Sequence, residues 1–195
     1  MSVIDTLIFD RTQADVNRVK ELKSKILISG LSALTEAEKA EYLGGMKGAY
    51  NHTDMNRVGS AMTYIADRMN QISQELTAYR EEKGIAYDPF FDMPYGHDTI
   101  EVTGKADWAM GDVPTQAQAT TYITDLAKLR GQLPLPADTP AVPTTLNNLT
   151  YIVANNIERL LYLIDQSLIS IADERYARID GAVAATVYCG LEYAG

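Results

Sequence analysis

Between residues 55 and 79 the apolar side chains fall at Met55, Val58, Met62, Ile65, Met69, Ile72, Leu76 and Tyr79, with spacings that alternate three and four throughout. A repeat averaging about 3.5 residues lays one continuous stripe along a helix, and such a stripe is stable only when other helices cover it. The stretch from Tyr42 to Tyr79 is therefore the organising element of the chain. A glycine-punctuated turn (Gly44, Gly45, Gly48) leads into it, and it is predicted to run to about Gly84. With 195 residues, 46% of them apolar, the chain is large enough to supply that cover within a single domain.

The covering helices can be read from their caps. Thr12-Gln-Ala-Asp15 and Thr35-Glu-Ala-Glu38 are capping-box patterns. The first precedes a helical run (Val16, Val19, Leu22, Ile26) that ends near Ser29-Gly30; the second starts a short helix ending at Gly44-Gly45. Thr115-Gln-Ala-Gln118 opens another helix, with the stripe Tyr122, Ile123, Leu126, Leu129 and Leu133. Pro134, Pro136, Pro140 and Pro143 then form a stiff connector that cannot be helical. The last long helix is expected to begin near Thr144 or Thr145 and to use Leu149, Ile152, Val153, Ile157, Leu160, Ile164, Leu168 and Ile171. Leu161 and Leu163 widen its apolar face, which implies burial on more than one side, in the bundle centre or at a subunit interface.

Three segments depart from this pattern. Residues 1–11 form an apolar N-terminal arm, containing Ile4, Ile8 and Phe9, that reads as a strand, a buried arm or a segment docking on another subunit. In residues 85–113, Phe90, Phe91, Tyr95 and Trp108 stand among Pro89, Pro94 and Gly96; the alternation Thr99-Ile-Glu-Val-Thr103 reads as a half-buried strand, so a loop with a small β-ribbon is expected. Its aromatic residues either pack the ribbon onto the bundle or present a partner-binding surface. The small-residue tail 179–195, with Tyr188 and Tyr193, reads as a terminal helix breaking into a strand. The fold class is thus mainly α: one helical domain over 1–195, with an inserted β-ribbon and extended terminal segments.

Chemistry is sparse. No Gly-rich phosphate loop, nucleophile elbow, His-Glu-x-x-His helix or cysteine pair is present, so no enzyme is expected. His97 with Asp88, Asp92, Asp98 and Glu101 is a weak constellation without metal-ligand spacing, and ordinary turn residues explain it better; neither metal nor cofactor is expected. A formal net charge of −9 with no dense basic patch argues against nucleic acid. The lone Cys189 permits no internal disulfide. No apolar run reaches membrane-spanning length, and Asp5 and Asp10 stand where a signal peptide would be basic and apolar, so neither insertion nor export is expected.

A short echo links two helix starts, Asp15-Val-Asn-Arg-Val19 and Asp54-Met-Asn-Arg-Val58. Both place an Asp at the positive end of a helix dipole, with Asn and Arg able to reach loop carbonyls. Tyr50, Asn51, Asp54, Asn56 and Arg57 accordingly read as cap and turn residues, a chemistry that accounts for the echo without a duplication.

Several segments together resemble a family of small proteins encoded in tail gene clusters of phages and prophages of Gram-positive bacteria. They are 9–19, 35–51, Asp54-Met-Asn-Arg-Val58, Trp108 with Asp112-Val-Pro-Thr115, 146–151, Ala154-Asn-Asn-Ile-Glu158 and 188–195. The resemblance implies a virion component acting at the tail, baseplate or fibre attachment through contacts with other virion proteins and with copies of itself. A head, neck or capsid-decorating protein is the nearest alternative, and a module binding host-surface glycan through the aromatic insert is a third. Ile4, Ile8, Phe9, Phe90, Phe91, Tyr95, Trp108, Tyr188 and Tyr193 are the candidate partner-binding residues.

Overall fold

Four helices begin at the same chemical device. In the computed structural model, which describes residues 2–147 and 149–191 (186–191 as backbone only), α1 (Gln13–Ser29), α2 (Glu36–Leu43), α3 (His52–Glu82) and α4 (Gln116–Arg130) start at Thr12, Thr35, Asn51 and Thr115. Each cap oxygen accepts a first-turn amide, while Asp15, Glu38, Asp54 and Gln118 reach back to accept the amide of the cap residue. These reciprocal bonds satisfy donors that a helix start otherwise leaves unpaired. The last helix, α5 (Tyr151–Leu191), starts at Thr150, whose hydroxyl accepts from the Val153 amide.

The molecule is mainly α-helical, and α3 and α5 form its axis. They run parallel: Arg57 of α3 meets Glu158 of α5, and Tyr79 meets Asp180 at the same offset of 101 residues. The α3 stripe is buried from Met55 to Leu76, and its side chains interleave with Leu126 and Leu129 of α4 and with Ile157, Leu160, Leu161, Ile164 and Leu168 of α5. Leu160 and Leu161 are consecutive and both fully buried, so α5 is covered on two sides within the chain itself. A separate small cluster, Val19, Leu22, Leu34 and Met46, holds α1 and α2 together as a hairpin.

Four expectations need correction. No strand exists among the described residues, so the segment 97–109 is extended but is not a β-ribbon. Its backbone groups are taken up by helix side chains. The amide of Asn70 bonds both N–H and C=O of Ile100, that of Asn56 does the same for Trp108, and Asp125 accepts from the Thr103 and Gly104 amides. With its hydrogen bonds satisfied in this way, the segment has no need of a partner strand. The C-terminal segment 179–191 is neither extended nor a strand: α5 continues through Gly181 to Leu191 along an Ala-rich sequence that favours helix. Finally, α5 begins at Tyr151 rather than Thr144 or Thr145, because Thr145 spends its hydroxyl on a local bond from the Asn147 amide. The N-terminal arm is also not extended throughout, since Val3–Thr6 forms one 3-10 turn with its own Ser2–Asp5 capping box.

Two glycines show how closely the extended segment lies on α3. A Cβ at Gly59 would sit 2.1 Å from the Lys105 carbonyl oxygen, whereas one at Gly181 would meet nothing within 4 Å. Gly59→Ala is therefore expected to destabilise the fold by about 1–3 kcal/mol, the backbone clash outweighing the better helix propensity of alanine. Gly181→Ala is expected to stabilise by about 0.5–1 kcal/mol. Urea unfolding of the two variants checks both signs.

Candidate functional site

The N-terminal arm, the start of α3 and the first turns of α5 meet in a buried group of four charged side chains. Arg11, Asp54, Arg57 and Glu158 form a neutral set. Arg11 Nη2 lies 2.8 Å from Asp54 Oδ1 and 2.6 Å from Glu158 Oε1. Arg57 donates to Asp54 and, at 2.9 Å, through both Nε and Nη2 to Glu158. The Ile8 amide adds a 2.6 Å bond to Glu158 Oε2. The Asn155 side chain completes the clasp: its Oδ1 accepts from the Arg11 amide and its Nδ2 donates to the Arg11 carbonyl.

Local sequence explains why these groups come together. Asp54 occupies the third position of α3, so one of its oxygens caps Asn51 while the other faces the two arginines. Arg57 is one turn further along the same helix, within reach of Asp54. Glu158 lies on the buried stripe of α5 between Ile157 and Leu161 and is fully buried, which is tolerable only with complete pairing. Burial opposes the Arg57 charge, but its hydrogen bonds to Glu158 and Asp54 more than offset that and hold its proton more firmly than usual.

Next to this group the Tyr50 and Tyr122 hydroxyls bond each other at 2.7 Å, and the Arg11 guanidinium lies over the Tyr50 ring. Burial pushes both phenols well above their ordinary pKa, so the pair stays neutral. Glu158 receives four donors, leaving no free oxygen for proton transfer to a substrate. Chemically the arrangement is a clasp that fixes the arm to the bundle.

The sequence-predicted partner-binding residues do not form one surface. Ile4 and Trp108 are buried in the chain, which removes both as free docking side chains: Ile4 joins the main core, and Trp108 is pinned through its backbone to Asn56. Ile8, Phe91 and Tyr95 are half-buried, with the Tyr95 hydroxyl bonded to the Met69 carbonyl. Phe9 and Phe90 remain exposed, Phe9 against Tyr162 of α5 and Phe90 under the Arg178 guanidinium. Tyr193 and the Tyr188 side chain lie outside the described residues. Of the cap and turn set, Tyr50, Asp54 and Arg57 belong to the clasp or its border, Asn51 caps α3, and Asn56 holds the extended segment.

Arg11, Tyr122, Asn155 and Glu158 were not singled out from sequence. The available signal was a glutamate on the apolar stripe of the last helix, where an unpaired charge would be prohibitive. In the 85–99 loop, Asp92 is buried with His97 Nε2 at 3.4 Å and Arg80 Nε at 3.7 Å. Among the described residues no three His, Cys, Asp or Glu side chains are grouped to hold a metal ion, and no helix is long and apolar enough to cross a membrane. Comparison with protein-family models, curated proteins and solved structures finds no match.

Removing one member of the clasp leaves an uncompensated buried charge. Arg11→Leu and Glu158→Gln are each expected to cost about 3–5 kcal/mol. The double variant restores charge balance and is expected to cost clearly less than the sum, a coupling that a denaturant-based double-mutant cycle measures directly.

Proposed function

We propose that the protein is a structural component of a phage virion, placed at the tail, baseplate or fibre attachment, and that it acts by docking on other virion proteins and on copies of itself. The observation that carries this reading is the tip of the α1–α2 hairpin. Leu27 and Ile28 are 88% and 79% exposed, and Leu31 beside them is also exposed, although the hairpin has its own small core. Scattered exposed apolar side chains are ordinary, but three within five residues at the turn between α1 and α2 fit a contact surface. Phe9, Tyr162 and Ile169 add exposed apolar side chains along α5 and the arm. The resemblance of 9–19, 35–51, Asp54-Met-Asn-Arg-Val58 and Ala154-Asn-Asn-Ile-Glu158 to tail-cluster proteins supports the same reading, and Arg11, Asp54, Arg57 and Glu158 from those segments meet at the clasp. Tail assemblies repeat their subunits with symmetry, which requires self-complementary or ring-forming contacts.

Immunogold labelling of purified particles tests this proposal. Gold at one discrete position on the tail is expected, and a Leu27→Glu/Ile28→Lys variant that stays folded is expected to lose incorporation. Unlabelled particles, together with a protein that remains monomeric at high concentration, would contradict it.

A further inference from the structure

The loop 85–99 lies on the second half of α3, and most of what holds it there is neutral or permanently charged. Ser73 donates to the Gly96 carbonyl, the Tyr95 hydroxyl to the Met69 carbonyl, and Arg175 and Arg178 of α5 to the Phe90 carbonyl. Asp92 of the loop, in contrast, is 2% exposed and neither of its oxygens accepts a hydrogen bond, so its charge rests on the cations around it. Arg80 Nε stands 3.7 Å away and His97 Nε2 3.4 Å away, and Arg175 lies within electrostatic reach.

The surroundings of His97 select one protonation state of its ring. Thr77 donates its hydroxyl proton to the Ser73 carbonyl at 2.9 Å, so the same oxygen, 3.3 Å from His97 Nδ1, can only accept from the ring. On the other side Nε2 faces the Asp92 carboxylate, which also only accepts. A neutral imidazole carries a single N–H, and either tautomer therefore points a lone pair at one of these two oxygens. The imidazolium, with an N–H on each side, suits both. Glu81 of α3 and Asp98 of the loop line one groove with His97 and add negative charge beside it. The Tyr87 ring lies 5.5 Å from the imidazole and carries the Arg80 guanidinium on it, which joins the two cations into one cluster around Asp92.

We infer that the 85–99 loop is a pH-sensitive latch: protonated His97 closes it on Asp92 and Thr77, and loss of that proton loosens it. Histidine changes charge between about pH 5 and 8, a window in which carboxylates and guanidiniums ordinarily keep theirs. Because the contacts need the charged ring, their contribution is present at low pH and is lost as pH rises. The His97 side chain is 43% exposed, so the contribution is of surface-pair size, and the loop loosens locally while the bundle stays intact. The latch is a property of the single chain and is independent of any docking role of the α1–α2 turn.

Amide hydrogen exchange of the intact protein, corrected for the intrinsic pH dependence of exchange, tests the latch at Phe91 and Gly96. Their amides are bonded within the loop to the Asp88 and Met93 carbonyls. Protection of both is expected to be about two- to fivefold higher at about pH 5.5 than at about pH 8, with the α3 core amides of Ile65 and Met69 showing no such change. His97→Gln and Asp92→Asn are each expected to abolish the difference. His52→Gln, which removes the chain's other histidine at the start of α3, is expected to keep it. The inference is overturned if protection of the two loop amides is equal at both pH values or rises toward pH 8. It is equally overturned if the difference survives in His97→Gln or Asp92→Asn, if His52→Gln removes it, or if the core amides change in parallel.

Discussion

Everything else in the structure depends on Glu158 being neutralised. A carboxylate on the innermost face of the central helix is untenable in isolation, since moving an unpaired charge into such surroundings costs several kcal/mol after relaxation. Its four donors come from two places far apart in the chain: the Ile8 amide and Arg11 of the arm, and Arg57 of α3. The charge at 158 therefore dictates where the arm lies and fixes how α3 and α5 stand against each other. Apolar packing of the stripes supplies the bulk of the stability, but it is tolerant of small shifts along the helix axes. The clasp is not tolerant, because its donors must meet particular oxygens. This matches the general role of buried polar groups in specifying register.

The extended segment 97–109 follows the same logic with neutral groups. Asn56 and Asn70 lie four helical turns apart on α3, and each offers one donor and one acceptor to a backbone residue laid alongside. Between them Gly59 lets the chain approach the helix backbone, and Asp125 of α4 closes the other side. A helix thus does the work that a neighbouring strand would do. The arm and this segment are both held by side-chain hydrogen bonds, and the four-donor carboxylate and the two asparagines give the bundle a defined surface on which docking contacts can be built.

How much of this was legible follows from the range of each interaction. The helices were legible because their determinants are local: caps within four residues, stripes at fixed spacing, and prolines between 134 and 143 that bar helix. The burial of Met62, Ile65, Met69 and Leu76 could be read from the same repeat. The ribbon misreading arose because alternation of apolar and polar residues marks any half-buried extended segment, whoever satisfies its backbone. Asn56 reads in sequence as able to reach a loop carbonyl and Asn70 as a surface residue, but nothing local says which stretch of backbone either one holds. The clasp joins residues up to 150 apart, and only the oddity of a glutamate on an apolar stripe hinted at it. Trp108 was read as a candidate contact residue because tryptophan favours interfaces, but here it anchors an internal one.

Native-state hydrogen exchange provides the most direct test of the claim that the clasp makes arm, α3 and α5 one cooperative unit. The Ile8 and Arg11 amides, bonded to Glu158 and Asn155, are predicted to exchange only through global opening, with the same free energy and denaturant dependence as core amides of α3 such as Ile65 and Met69. Exchange of the two arm amides through a local opening well below the global free energy, with α3 and α5 still protected, would show that the arm frays independently and would contradict the account.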